Sequence, residues 1–544
     1  CSACACRELP SVLVPSCAFG VPSVFMSDEA EPSPRESAGH LVRESGKLSA
    51  LTMASRILGL IRERTRGALM GTGVLADAFT VAFSVPNLFR RLFAEGSMAA
   101  AFIPTVKASM REGNDQATED FLSATFTVLS LSVGLVVALG IAASPLLVGM
   151  FDSEPVETTI LMRTMFPFLA LVSVAAFFQG ILNAHGVFGP SGFAPILFNL
   201  SFILVPAVLA GFTTNPARAM AVAVVFGGFL QAVCQLPYVI RLGARFKFVN
   251  PVRALANPGM KRVLGLIGPT ILGMAAYEVN GLVSTSLATR AGTGAATALT
   301  FSLRLQELVL GVFVVSVGTV LLPELSGSAA AADWVRYRDR LVHALETIAL
   351  VTVPLAVFSI IERHEIVSVV YMTREFGQVS ANLTAGAFLY HMIGLPFIGA
   401  NRILAPAFYA RSDSRTPAVA GIVAVGINIA VALALQPLMG GSGIALALSI
   451  ASAVNMSVLV VMLLRLRIVG LRKALVSVTL YVVRLFLFSG VAAVPVLLIR
   501  HPLARQFGLA GSVLVGSGVP LTVAALVFGG IGVALLAISR DAPA

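Results

Sequence analysis

The amino-acid sequence predicts an all-α integral membrane protein with about fourteen transmembrane helices: two six-helix lobes around a central cavity, plus two extra C-terminal helices. Three observations predict this fold: an apolar composition, recurrent apolar segments of spanning length, and an internal repeat. Of the 544 residues, 57% are hydrophobic and only 12% are charged, whereas soluble domains are about 25% charged. Apolar runs of about 20 residues, enough to cross a bilayer, recur from residue 46 almost to the C-terminus.

Loops that are polar or rich in Gly and Pro separate the candidate spans. A helix rises about 1.5 Å per residue, so each candidate is long enough to cross most or all of a hydrocarbon core. The approximate extents are 46–71, 76–106, 120–149, 158–184, 192–212, 217–242, 259–289, 295–323, 337–361, 380–410, 416–435, 441–466, 474–499 and 510–538.

The N-terminal segment, residues 1–45, is polar and contains Pro and Ser, so we expect it to be a disordered extension. Met26 resembles a natural start, which would make residues 1–25 an upstream extension; a lipid-modified Cys1 is the alternative. Four of the five cysteines lie in this extension and Cys234 is alone in an apolar span. The spacing therefore predicts neither a disulfide framework nor a metal site.

The distribution of Lys and Arg over the loops tests the span count, because cytoplasmic loops are enriched in these residues. With a cytoplasmic N-terminus, seventeen basic residues fall in inner loops and six in outer loops. The inner residues are Lys107, Arg111, Arg241, Arg245, Lys247, Arg253, Lys261, Arg262, Arg336, Arg338, Arg340, Arg411, Arg415, Arg465, Arg467, Arg472 and Lys473. The outer residues are Arg218, Arg290, Arg363, Arg374, Arg500 and Arg505. This asymmetry predicts an even number of spans with both termini in the cytoplasm.

Two pairs of similar segments indicate an internal duplication. Segments 99–104 and 318–323 both end in proline and close the second and eighth spans, at an offset of 219 residues. Segments 181–195 and 403–417 share an Ile-Leu pair fourteen residues before a proline, at an offset of 222. Two lobes in the same orientation, which rock around a central site, are a transporter architecture; chance matches in apolar sequence are the alternative. The predicted domains are the lobes 46–243 and 258–466 and a two-helix appendix, 474–540.

Charged residues inside the first span indicate the nature of the cavity. Each such residue costs about 2.5–3.5 kcal/mol to insert and normally faces a bundle interior. Arg56, Arg62, Glu63 and Arg66 fall within one arc of about 120° on a helix, and only Arg64 lies off it. Arginine binds phosphate oxygens bidentately and stays charged, so this stripe predicts an anionic, phosphorylated substrate. The alternative is that the arginines reach the membrane interface from a helix end.

The second span adds Asp77 near its predicted outer end and the charged residues Arg90, Arg91 and Glu95 further along. Arg91 and Glu95 are spaced i,i+4 and can pair, which leaves Arg90 as the better ligand candidate. An ion pair that only holds two helices together is the alternative for Arg91 and Glu95.

Further charges lie in the seventh, eighth and tenth spans. Arg304 and Glu307 are spaced i,i+3 in the eighth span, while Glu278 and Arg402 are single intramembrane charges in the seventh and tenth. We interpret His391 as a packing histidine. The predicted substrate-binding residues are Arg56, Arg62, Arg90 and Arg304, and the predicted supporting charges are Glu63, Asp77, Arg66, Arg91, Glu95 and Glu307.

Several functional classes are excluded by what the sequence lacks. It has no phosphate-binding Gly-rich loop with its lysine and no catalytic constellation, so the prediction is a transporter and not an enzyme. The basic residues are too scattered for nucleic-acid binding. No cofactor is expected, and the energy for transport would come from an ion gradient (Na+ or H+) or from the membrane potential.

Several motifs resemble those of the MurJ/MviN lipid II flippases, a family of the multidrug/oligosaccharidyl-lipid/polysaccharide exporter superfamily. They read SRILG at 55–59, ADAF at 76–79, PNLFRRLFAEG at 86–96, AFIP at 101–104 and LAPAFYAR at 404–411, and the resemblance runs from about residue 46 to 540. It implies a monomer in the bacterial cytoplasmic membrane, surrounded by membrane lipids, that moves a peptidoglycan precursor to the outer leaflet by alternating access. That precursor, lipid II, is a disaccharide-pentapeptide linked to undecaprenyl pyrophosphate.

The same resemblance implies roles for individual residues. The essential cavity arginines of the family match Arg56, Arg62, Arg90 and Arg304, and its important acidic residues match Glu63 and Asp77. The last two spans would form a groove for the polyprenyl tail. The sequence departs from the family pattern at Glu63, where aspartate is common, and at Leu303, where many relatives have an aspartate that could pair with the following arginine.

Three other functions remain as alternatives at this point. A flippase for another polyprenyl-pyrophosphate glycan would need the same arginines. A multidrug antiporter would need an acidic cavity for cationic drugs, which the arginine stripe opposes. A membrane scaffold without transport activity would tolerate neutral substitutions in the cavity.

Overall fold

The computed structural model describes residues 34–96, 101–507 and 513–539. Within these ranges the chain forms helices joined by short loops and no strand, so the predicted all-α fold is confirmed. By its internal contacts the chain divides into Cys1–Lys47 and Leu48–Ala544, and the packing described below lies within the second unit.

The helices are named in chain order. They are α1 (Pro34–Met70), α2 (Val74–Arg90), α3 (Ile103–Arg111), α4 (Asp115–Val148), α5 (Pro155–Met165), α6 (Pro167–Ala184), α7 (Gly189–Leu209), α8 (Pro216–Arg241), α9 (Pro251–Ala256), α10 (Pro258–Arg290), α11 (Ala295–Ala330), α12 (Trp334–Ile361), α13 (Arg363–Tyr371), α14 (Gln378–Tyr409), α15 (Arg415–Met439), α16 (Gly441–Arg465), α17 (Leu471–Phe507) and α18 (Val519–Ser539). Two π-helical segments, Arg91–Gly96 and Leu514–Gly518, follow α2 and precede α18.

Ten segments of the described chain are helical, long and apolar enough to cross a membrane, so this is a multi-pass membrane protein. Every one of the fourteen predicted spans overlaps a helix, but the number fourteen stays a prediction. The predicted spans outside the ten correspond to α1, α2, α10 and α11. Among these, α1 carries the charged stripe and α2 is only 17 residues long.

Several predicted boundaries are wrong. Residues 34–45, the described part of the predicted N-terminal extension, belong to α1, and their Arg, Glu and Ala are good helix formers; the disorder of the extension stays a prediction. The expectations for residues 1–33 lie outside the described residues. The predicted second span is not one regular helix: α2 ends at Arg90 and a π-helical turn follows.

The predicted fourth span is interrupted between α5 and α6. Pro167 lacks the N–H that a continuous helix needs at that position, so α6 begins there. The short helices α9 and α13 were not predicted, because segments of six to nine residues show too little periodicity to be recognised.

The described helices pack into two groups with separate cores. An N-terminal group, α2 to α8, is centred on two clusters rich in phenylalanine, around Phe166 and Phe177. A C-terminal group, α10 to α16, is centred on Tyr337 and Phe388. Helices α17 and α18 pack against α12. This grouping resembles the predicted lobes and appendix, although their boundaries stay predictions.

The two groups are joined at the end of the bundle that carries the turns around Gly71 and Gly294, which we call the Gly294 end. Thr72 Oγ1 donates a hydrogen bond to Ser380 Oγ at 2.8 Å. Both glycines have positive φ, +56° and +87°, and a Cβ at either would clash with a backbone carbonyl oxygen of the neighbouring segment. Only glycine fits such a close approach, so these turns are tightly packed across the two groups.

Candidate functional site

Three chambers share lining residues. The first lies between the two helix groups, the second mostly among helices of the N-terminal group, and the third between α1 and the C-terminal group. Counted with the space that is open to solvent, the first extends over about 1500 Å³, the second about 1400 Å³ and the third about 880 Å³. Arg62 of α1 and Arg304 of α11 line all three. The two arginines therefore mark the junction of the cavity.

At this junction three guanidinium groups surround the carboxylate of Glu63. Arg62 Nη2 lies 2.7 Å from Glu63 Oε1, Arg66 Nη1 lies 3.5 Å from Glu63 Oε2, and Arg304 Nε lies 3.8 Å from Glu63 Oε1. Glu63 is only 4% exposed, so it is enclosed by positive charge. The cluster holds more positive than negative charge, even when Glu307 is counted with Arg304.

The partner of Arg304, which the sequence left open, is thereby found. Arg304 Nη1 donates to Glu307 Oε2 at 2.5 Å within α11, and Glu63 lies on its other side. Arg304 does not need an aspartate at position 303 to form an ion pair, because Glu307, one helical turn further along, supplies the carboxylate.

Arg62 is held in place by a neighbour on α7. Its Nη1 donates to Asn199 Oδ1 at 3.1 Å, and the Asn199 amide in turn donates to the carbonyl of Ser55 at 2.9 Å. The guanidinium carbon also lies 5.4 Å from the ring centroid of Phe202, a cation–π geometry. Asn199 therefore ties α7 to α1 and fixes the direction of Arg62.

Arg66 is buried deeper than Arg62, with 6% exposure, and its guanidinium carbon lies 4.4 Å from the ring centroid of Phe301. Its Nε and Nη2 atoms have no hydrogen-bond partner. A buried charged group without full pairing is energetically costly, so Arg66 keeps unused hydrogen-bond donors beside the first chamber.

The other arginines that the sequence assigned to the cavity line different chambers. Arg56 lines the third chamber together with Arg402, and Arg66 lines the first, so the predicted single stripe is divided between two spaces. Arg64, which the sequence placed off the stripe, donates to the carbonyls of Val369 and Val370 at 2.9 Å each.

Arg90 and Arg91 also differ in their surroundings. Arg90 lines the second chamber and its Nε donates to Asn87 Oδ1 at 2.9 Å. Arg91 Nη1 lies 2.9 Å from Glu278 Oε1 of α10. The predicted partner, Glu95, has a side chain outside the described part of the structure. The sequence showed Glu278 as a single acidic residue inside a span, but it could not show that Glu278 pairs with Arg91, which lies 187 residues away.

Asp77, which the sequence placed near the outer end of the second span, lines none of the three chambers. Its carboxylate accepts hydrogen bonds from Gly294 N at 2.6 Å, Thr297 N at 2.9 Å and Thr297 Oγ1 at 2.7 Å. These donors are the first groups of α11, so Asp77 of α2 caps the N-terminus of a helix in the other group. It lies at the Gly294 end, where it links the two groups.

His391 is a packing residue in this arrangement. It is 1% exposed, and its ring Nδ1 and the Ser302 hydroxyl form a hydrogen bond at 2.5 Å. Its backbone carbonyl accepts from Gln306 Nε2. This geometry agrees with the interpretation from the sequence. Within the described ranges, His, Cys, Asp and Glu side chains form no group of three that could hold a metal ion.

Comparison with known proteins gives consistent results. A model of the family described as lipid II flippase MurJ matches residues 67–515. The probable lipid II flippase MurJ of Treponema pallidum (strain Nichols) is 40% identical over 512 residues, 93% of this chain and 97% of the relative. The lipid II flippase MurJ of Burkholderia cenocepacia is 32% identical over 398 residues, 72% of this chain and 77% of the relative.

Two solved structures share the fold. One is a lipid II flippase MurJ in an inward closed conformation, with a TM-score of 0.71, 22% identity, and coverage of 91% of this chain and 99% of that chain. The other is an inward-facing multidrug resistance MATE family transporter of the MOP superfamily, with a TM-score of 0.65, 15% identity, and coverage of 78% and 98%. From the family match and the relatives, the chain belongs to the lipid II flippase MurJ family, a family of transporters and not of enzymes.

Proposed function

We propose that this protein flips lipid II from the cytoplasmic to the outer leaflet of the bacterial cytoplasmic membrane by alternating access. The observation that carries the proposal is the cluster of Arg62, Arg66 and Arg304 around Glu63, at the point where all three chambers meet. We assign this cluster to the pyrophosphate of the substrate.

The chemistry of the cluster suits a pyrophosphate. Guanidinium groups form bidentate, charge-assisted hydrogen bonds with phosphate oxygens. Glu63 offsets the mutual repulsion of the three arginines while the site is empty, and the unused donors of Arg66 offer further hydrogen bonds to an anion. Arg56 and Arg90 flank the cluster from the third and second chambers, where they contribute attraction without direct pairing to Glu63.

The contacts at the Gly294 end suit a gate that opens and closes. They are polar: the cap of α11 by Asp77, the Thr72–Ser380 hydrogen bond, and the bond from Ser286 Oγ to the carbonyl of Met150 at 2.7 Å. Water can replace such contacts at low cost, whereas an interdigitated apolar interface could not open so readily. We propose that this end faces the outside and closes while the head group enters from the cytoplasm.

The apolar tail would lie along α17 and α18. Both helices pack on α12 and on each other, and they leave large side chains exposed, with Leu487 at 64%, Leu498 at 71% and Leu526 at 72%. These surfaces match the lipid chains of a bilayer or the polyprenyl tail of the substrate, and we assign the tail to them.

The charge of the cavity suggests how transport is driven. Seven arginines and three glutamates line the chambers, which leaves four positive charges in excess. A charge that crosses the membrane field changes the free energy by about 2.3 kcal/mol per 100 mV. We propose that the membrane potential, or a Na+ or H+ gradient, drives the return of the empty cavity, and that the protein works as a monomer.

The test is depletion of the protein in cells, with complementation by single variants and measurement of lipid II exposed on the outer leaflet. Arg62→Ala and Arg304→Ala should abolish exposure, and Arg62→Lys should restore it only in part, because lysine lacks the planar fork. Arg415→Ala, which removes an exposed arginine at the start of α15, is the matched control and should support normal exposure. Normal exposure with both cavity variants, at normal protein levels, would refute the assignment.

A further inference from the structure

The second chamber differs from the first in the chemistry of its wall. Six amide side chains line it, against two in the first chamber, and no described Asp or Glu does. The six are Asn87, Gln179, Asn183, Asn199, Gln231 and Gln235. Polar side chains inside a membrane bundle are costly and generally functional, so this concentration of amides requires an explanation beyond packing.

Four of these amides form two pairs with helical spacing. Gln179 and Asn183 lie one turn apart on α6, and Gln231 and Gln235 lie one turn apart on α8, a helix that packs against α6. Residues four apart share one face of a helix. The two helices thus present a single uncharged amide patch to the chamber, which we call the amide patch.

The amide patch has unused hydrogen-bonding capacity. Gln235 is 1% exposed, and its Nε2 donates to the carbonyl of Gln231 at 2.9 Å. Its Oε1, by contrast, has no hydrogen-bond partner. A buried carbonyl oxygen without a donor is unfavourable, so a ligand hydroxyl or amide would stabilise it. Gln179, on the facing helix, is exposed in the chamber wall.

Three of the four arginines that line the second chamber are shared with the first chamber, and the fourth, Arg90, donates to Asn87, which is not part of the amide patch. The three shared arginines are Arg62, Arg91 and Arg304. An anion held at Arg62 and Arg304 therefore sits at the entrance of the amide-lined space. In a glycosyl pyrophosphate the sugar is bonded directly to the phosphate, so the group next to the anion is carbohydrate.

We propose that the second chamber is a carbohydrate subsite, in which the amide patch binds the hydroxyl and acetamido groups of the sugar attached to the pyrophosphate. Each amide side chain both donates and accepts hydrogen bonds, which matches a neutral polyhydroxylated ligand, and Phe83, Phe168 and Phe198 supply the apolar part of the wall. This assignment rests on the proposed function, because it takes the pyrophosphate as the anchor.

The test compares probes that differ only in the head group, with the full chain in lipid nanodiscs. The probes are undecaprenyl pyrophosphate, undecaprenyl pyrophosphate carrying the disaccharide without peptide, and lipid II. In a double variant, Gln179→Leu with Gln235→Leu, the two sugar-bearing probes should bind at least about tenfold more weakly, from the loss of two hydrogen bonds. Binding of undecaprenyl pyrophosphate should stay within about twofold, which also shows that the variant is folded.

Gln436→Leu in α15, outside the chambers, is the matched control and should leave all three affinities unchanged. A loss confined to lipid II would mean a peptide subsite and would overturn the proposal, as would an equal loss for all three probes or no loss for any. If the unmodified protein binds none of the probes, the proposed function itself fails.

Discussion

The hydrogen bonds that Asp77 accepts from residues at the N-terminus of α11 should help to hold the Gly294 end closed, and a substitution at Asp77 tests how strongly. Asp77→Asn keeps the size of the side chain but replaces one carboxylate oxygen by an NH2 group. The three donors are the N–H of Gly294 and the N–H and hydroxyl of Thr297. One of them must then face the NH2 group, which cannot accept a hydrogen bond. The contact joins α2 to α11, which belong to separate cores, so its loss acts on the equilibrium between closed and open ends.

The magnitude follows from the three hydrogen bonds. A hydrogen bond to a charged group contributes about 1.5–3 kcal/mol, and loss of a helix cap costs about 0.5–2 kcal/mol. Asparagine retains part of the capping, so we expect about 2 kcal/mol of lost stability for the closed end. At 1.4 kcal/mol per tenfold, this is roughly a 30-fold shift toward the open end.

A cysteine at Ser380, which is buried at this end beside Thr72, reports the shift. In a cysteine-free background, the rate of labelling of Ser380→Cys by a membrane-impermeant maleimide should rise roughly 30-fold when Asp77→Asn is added. Asp115→Asn, which changes an exposed acid at the start of α4, is the control and should alter the rate less than twofold. An unchanged rate in the Asp77 variant would refute the role of this cap.

Two further predictions concern the charges of the first chamber. Arg66→Leu removes a buried guanidinium with unused donors but leaves Glu63 beside Arg62 and Arg304. The thermal stability of the detergent-solubilised protein should therefore be equal or higher, while outward exposure of lipid II falls at least about tenfold. Reduced stability with full transport would contradict this. Glu278→Gln and Arg91→Gln should each destabilise the protein. In a double-mutant cycle, the two substitutions should show a coupling energy of about 1 kcal/mol. Additive effects would mean that the ion pair at 2.9 Å contributes nothing to stability.

The sequence predicted the helices and the central charges well, for a common physical reason. A charge in an apolar span is costly wherever it faces lipid, so Arg62, Glu63 and Arg304 could be assigned to an interior from the sequence alone. The structure brings these three residues into one cluster. Periodicity and insertion cost are local properties, and both can be read from a single segment.

Pairing between helices could not be predicted in the same way. Asn199 holds Arg62 from 137 residues away, and Glu278 pairs with Arg91 from 187 residues away. Which partner forms a contact depends on the rotation and register of two packed helices, and neither is encoded in the periodicity of one segment. Asp77 illustrates the same limit: its charge was noticed, but the helix N-terminus that it caps lies 217 residues away.

Several of the helices that line the first chamber are held by polar contacts. Under the predicted duplication, α1, α2, α10 and α11 form two equivalent inner pairs, the first two helices of each lobe, and all four line this chamber. The outer helices, such as α15 and α18, are strongly apolar and little buried within the protein, so contact with lipid contributes much of their stability. The inner pairs depend on contacts such as Asn199 to Arg62 and Asp77 to α11. Because these contacts are polar, water can replace them when the inner helices move relative to each other, and the proposed alternating access needs this property.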